Sequence, residues 1–160
     1  MKNIISGGIT VGRNNQSSPL YLTGNSGRII YRNKIDSLIG SKHPGIVLGQ
    51  DRWGQTWVIH NHYQIGRPQI VSFQECSAGV NVFFDDRPVF YNTIQIIERA
   101  IAHWIEKKEY GWLVNNCQQF VNDVAQGNRY SETIDKVSDG AMFTGGLVSL
   151  FGLLTGNKGF

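Results

Sequence analysis

A chain of 160 residues with 41% hydrophobic and 17% charged side chains can fill one core and is too short for two full-sized domains. Two cysteines exclude a disulfide framework. The formal net charge of +3 is unevenly spread: residues 1–67 hold eight Lys and Arg against two Asp, and residues 68–160 hold seven against ten acidic residues. The basic half could meet an anionic surface, but its cations are dispersed and never run to five, which describes solvated surface better than a nucleic-acid site.

In chain order, only Lys2 precedes the glycine-broken apolar segment Ile4 to Val11, a poor signal peptide. With just Cys76 and Cys117, the chain reads as cytoplasmic and reducing; a single bridge between the two is the alternative and would argue against catalysis. Residues 1–34 mix Gly, Asn and Ser with runs such as Leu20-Tyr21-Leu22, and predict one or two edge strands or an extended arm. Gly45 to Gln50 and Thr56 to His60 are β-favouring runs joined by a glycine-containing connection, an antiparallel hairpin. Gln69 to Phe73 and Val80 to Phe84 predict further strands of the same sheet. A helix follows from Thr93 to Lys108, capped by Asn92, with Ile94, Ile97, Ile101, Trp104 and Ile105 as its apolar stripe.

The next helix lies within Leu113 to Gly127. Cys117, Phe120, Val121 and Val124 recur at i, i+3, i+4 and i+7, Asn115 and Asn116 suit an N-cap, Gln118 follows Asn115 by three, and Gly127 suits the end. A thiol in a first helical turn meets unpaired N–H groups and the positive end of the helix dipole, which favours the thiolate. Cysteine is also a small hydrophobe that fills cores. Cys76, in SFQEC, shows no helix start of its own and reads as structural. Strands followed by helices make the chain an α+β protein, its small antiparallel sheet packed against helices.

Residues 131–160 form an apolar, glycine-rich segment. Ala141 to Leu154 is 14 residues long, short of the roughly 20 a spanning helix needs, so it reads as a core helix, a homo-oligomer contact or a shallow membrane-surface anchor.

Of four histidines, His103 lies mid-helix and reads as structural. His43 begins the first hairpin strand and His60 ends the second, with His62 on the same sheet face if the strand continues. A strand-borne imidazole facing a helix-borne thiol is the minimal arrangement for cysteine nucleophilic catalysis, with a third polar group orienting the ring. Zinc on His43, His60, His62 and a cysteine is the weaker reading, because H-x-H without C-x-x-C or H-E-x-x-H is poor metal spacing.

HPGIVLG at 43–49, WVIHN at 57–61 and NNCQQFVNDVAQG at 115–127 resemble, in this order, the three signature blocks of the circularly permuted NlpC/P60 papain-like proteins. The likeness is nearest to the lecithin:retinol acyltransferase-like branch, whose blocks read H-x-x-I-x-x-G, V-x-H and N-C-x-x-F-V. It covers roughly residues 35–127 and implies a catalytic domain at 35–130, with Cys117 as nucleophile, His43 as general base and His60 as the orienting third member; His62 is the alternative third member. Pro44 and Gln119 depart from the pattern. Pro44 suits an edge strand.

The resemblance implies a cysteine-dependent hydrolase or acyltransferase that forms a thioester, with no cofactor or metal. Its branch implies lipid acyl groups as substrates, its wider superfamily peptide or peptidoglycan amides. A thiol peptidase or amidase acting as a toxin or effector, and a non-catalytic binding or assembly protein that keeps the fold, are the competing readings.

Overall fold

The computed structural model describes residues 5, 9–13, 15–33, 42–62, 65–107 and 117–127. Over these residues the protein is α+β, with seven strands and three helices. The expected capped start at Asn115 and Asn116 and the apolar stretch 141–154 lie outside the described residues.

The hairpin around which the sheet is built is β4 (Lys42–Gln50) and β5 (Thr56–His62). Valine and isoleucine favour extended backbone here, and Asp51 closes the connection. Its Oδ1 accepts the N–H groups of Trp53 and Gln55, both at 2.9 Å, and its Oδ2 accepts the Trp57 indole N–H at 3.0 Å. Gly54, at φ 84°, supplies the left-handed residue that the turn requires. A register shift between Val47 and Gly49 marks a bulge in β4.

The five-stranded antiparallel sheet has the order β6-β5-β4-β3-β7, with β3 at Ile29–Asn33, β6 at Arg67–Ser72 and β7 at Val82–Asp85. Two expectations change. The first 34 residues supply an interior strand, β3, besides the separate hairpin of β1 (Thr10–Arg13) and β2 (Gln16–Pro19), so a boundary at residue 34 does not set the sheet apart from what precedes it. Pro44 lies in an interior strand, not an edge. Its missing N–H is tolerated because it sits near the strand's start, before the β4–β5 register begins at Ile46 opposite Ile59.

Phe73 is not part of β6. Ser72 ends the strand and caps α1 (Phe73–Ser77): its side chain accepts the Glu75 N–H, and the Glu75 carboxylate accepts the Ser72 N–H. Cys76 therefore does lie in a capped helix, although not in its first turn.

α2 runs Thr93–Ile105, with Asn92 and Gln95 forming the reciprocal cap. Its buried face is Ile96, Ile97, Ala100, Ile101 and His103, whereas Ile94, Trp104 and Ile105 are exposed. The helix is rotated from the expected stripe because its flank is tied to α3 (Cys117–Gln126): Arg99 donates to the Asp123 carbonyl at 2.7 Å and to the Val124 carbonyl at 3.1 Å. His103 adds a contact to the Asp123 carboxylate at 3.2 Å. At the far end of α3, Gly127 has φ 72°, and a Cβ there would stand 2.7 Å from the Tyr91 hydroxyl.

The main core lies on one face of the sheet, where Ile29, Ile46, Leu48 and Ile59 meet Ile97 and Ile101 of α2 and Phe120, Val121 and Val124 of α3. A smaller cluster of Ile30, Val47, Val58 and Cys76 lies on the other, beneath α1. Among the described residues no helix is long and apolar enough to cross a membrane.

Candidate active site

The hairpin brings two of the expected residues together. His43, second residue of β4, and His60 of β5 are buried, with His43 Nε2 2.7 Å from His60 Nδ1 and the rings edge to face. One of these nitrogens carries the proton and the other accepts it.

Beside this pair, Gly45 of β4 comes close to β5. A Cβ at Gly45 would lie 2.9 Å from Val58 Cγ1, 3.2 Å from the Ile59 carbonyl oxygen and 3.5 Å from His60 Cβ, so no side chain fits between the two strands there. Sequence reasoning passed over Gly45, although a glycine within a strand signals such a close approach.

Strand alternation fixes which side the imidazoles occupy. Gly45 shares its face with Val58 and His60, and Val58 packs with Cys76 of α1. His43 and His60 thus belong to the α1 face. On that side Arg32, opposite His43 in the β3–β4 register, donates Nε–H to the Cys76 carbonyl at 2.8 Å. The Glu75 carboxyl is held below its ordinary value by its hydrogen bonds from Ser72, with a smaller contribution from the charge of His60. His62 is the last residue of β5, opposite Arg67.

Cys117 is the first residue of α3 and is buried, with the stripe Phe120, Val121 and Val124 inward as expected. The body of α3 packs on the other face of the sheet from the imidazoles. Gln118, Gln119 and Asn122 are buried as well, and Asn122 Oδ1 accepts from Arg87, whose guanidinium also pairs with Asp85. Burial tends to raise the Asp85 carboxyl, but the hydrogen bonds and charge of Arg87 outweigh it and hold the group below its ordinary value.

The two cysteines are free thiols, so the bridge alternative is not what the structure contains. Burial pushes the Cys76 thiol up to about 11, against a smaller opposing effect of Arg32. Such a thiol is almost wholly protonated at neutral pH and is a poor nucleophile. Among the described residues no group of three or more His, Cys, Asp or Glu side chains is arranged to hold a metal. Compared with family models, with curated proteins and with solved structures, the chain matches none.

Proposed function

We propose that the protein is a cysteine-dependent hydrolase or acyltransferase with a circularly permuted papain-like fold, similar to the lecithin:retinol acyltransferase-like branch. The observation that carries this reading is the buried His43–His60 contact across neighbouring strands. Two imidazoles hidden from water and bonded to each other are a costly pairing for structure alone, and they suit a base held in one tautomer.

His43 Nε2 is engaged by His60, so proton exchange with a thiol runs through His43 Nδ1. In the productive tautomer His43 Nε2–H donates to His60 Nδ1, leaving the Nδ1 lone pair to take the Cys117 proton. The thiolate attacks the carbonyl carbon of an ester or amide, and backbone N–H groups at the start of α3 stabilise the oxyanion. As the tetrahedral species collapses, the leaving oxygen or nitrogen takes the proton from His43, and the acyl group remains on Sγ as a thioester. Water or an acceptor alcohol or amine then gives a proton to His43, attacks the thioester and restores the thiol.

This chemistry requires Cys117 to meet His43 past the start of β4, because α3 and the imidazoles occupy different faces along the strand itself. His43 is the second residue of that strand. Lipid acyl groups are the preferred substrates on the strength of the resemblance.

The test is intact-protein mass spectrometry after brief exposure to a p-nitrophenyl acyl ester and, in parallel, to a peptide p-nitroanilide. An acyl adduct on Cys117 that needs His43 supports the reading. Turnover that survives Cys117→Ala refutes it.

A further inference from the structure

The two edges of the central sheet differ in character. At one edge β6 opens with Arg67 and Pro68, a cation and a residue without an N–H, both of which discourage pairing with another chain. At the other edge β7 (VFFD) carries neither. Among the described residues β7 pairs with β3 alone, so one side of its backbone has no strand beside it. Its one charged residue, Asp85, is engaged by Arg87, whose Nε–H donates to Oδ2 at 2.9 Å.

Both phenylalanines of this strand stand in water, Phe83 at 47% exposure and Phe84 at 42%. Pairing with β3 sets them on opposite faces, Phe83 beside Tyr31 and Phe84 beside Ile30. Neighbours hold both rings: Phe83 stacks on Tyr31 with centroids 5.6 Å apart, and the Arg28 guanidinium lies 3.7 Å over the Phe84 ring. Rings already fixed in this way lose little freedom when a partner covers them. A long-lived solvent edge carries charges and breaks, whereas this one offers held aromatics on both faces.

We infer that β7 pairs edge to edge and antiparallel with β7 of a second copy of this chain, joining the two five-stranded sheets into one. The two-fold axis of such a pair stands perpendicular to the sheet, so residues that meet lie on the same face. Centred on Phe83, the pairing sets Phe83 against Phe83 of the partner subunit, Val82 against the partner's Phe84 and Asp85 against the partner's Asn81. Apolar groups meet apolar groups on both faces, and no like charges stand opposite each other. Centred on Phe84, it would set Asp85 against the partner's Phe83 and Asp86 against the partner's Val82. The strand is thus self-complementary in one register. Because a four-residue strand covers less than the about 1,200–2,000 Å² of a standard interface, the dimer is reversible. The inference does not rest on Cys117, and the Cys117→Ala protein dimerises as the parent does.

Sedimentation of the full chain over a hundredfold range of micromolar concentrations tests this. The mass rises from one chain to two, and Phe83→Lys, which sets two cations face to face across the axis, weakens the dimer at least tenfold with the parent's circular dichroism. Register is read by cross-linking. Under mild oxidation Phe83→Cys forms a covalent dimer that a reductant reverses, since opposite residues of an antiparallel pair lie within disulfide reach, while Phe84→Cys links at least tenfold more slowly and the parent does not link. A single-chain mass at every concentration, a dimer of unchanged affinity in Phe83→Lys, or equal linking at the two positions overturns the inference.

Discussion

On one face of the central sheet, Ile46, Leu48 and Ile59 are wholly buried beneath α2 and α3; on the other, Cys76 of the five-residue α1 packs with Ile30, Val47 and Val58 beside the histidine pair. The first face is apolar and deep. The second is thin and holds two imidazoles, a guanidinium and a carboxylate close to the strands. A sheet can devote one side to stability and leave polar groups on the other, because its side chains alternate.

The contrast can be broken most strongly at the thiols. Iodoacetamide at pH 8 modifies Cys117 at least tenfold faster than Cys76, whose buried thiol stays almost wholly protonated, and His43→Ala slows the labelling of Cys117 at least tenfold while leaving that of Cys76 unchanged. Equal rates at the two sites would end the proposal of an activated Cys117. Cys117→Ala lowers acyl-ester turnover by about a thousandfold or more with the fold intact by circular dichroism.

Next come the apolar cores. Phe120→Ala on the deep face costs about 3–5 kcal/mol in urea unfolding, whereas Val58→Ala on the thin face costs about 1–3 kcal/mol. Gly45→Ala tests whether the thin face is built for the imidazoles. With Val58 and the Ile59 carbonyl in its way, the added methyl costs about 1–3 kcal/mol and lowers turnover by more than its stability loss explains.

The smallest effect is electrostatic. Asp85 has a folded-state value below its ordinary 3.8, so its pairing with Arg87 stabilises the protein above that pH and is lost as pH falls through the lower folded value. Arg87→Ala therefore reduces stability at pH 7 and flattens the acid limb below about pH 4 in a Tm-against-pH series. A parallel acid limb in the variant would show that Arg87 does not set this value.

The hairpin, the Asn92 cap and the Cys117 stripe were legible because each is local: β-branched runs around a turn, a capping residue three before its partner, and apolar residues at helical spacing. Ser72 and Glu75 carried an equally local signal, the capping box, that was passed over in favour of a longer strand. The rotation of α2 was not legible, since Arg99 and His103 choose it by binding to α3, 20 or more residues later in the chain. Nor was the interior place of β3, because no local pattern tells a strand which neighbours it will pair with.

By itself, the sequence determined the β4–β5 hairpin, the helices α2 and α3, their order, and that two histidines lie on the hairpin and a thiol at a helix start. Tertiary structure alone decided that His43 and His60 touch, that Gly45 packs too closely on Val58 and the Ile59 carbonyl to carry a side chain without a shift, and that the imidazoles lie on the face opposite the body of α3. The reason is that strand pairing and helix packing join residues far apart in the chain. Propensity acts on neighbours, whereas a site is made where distant neighbours meet.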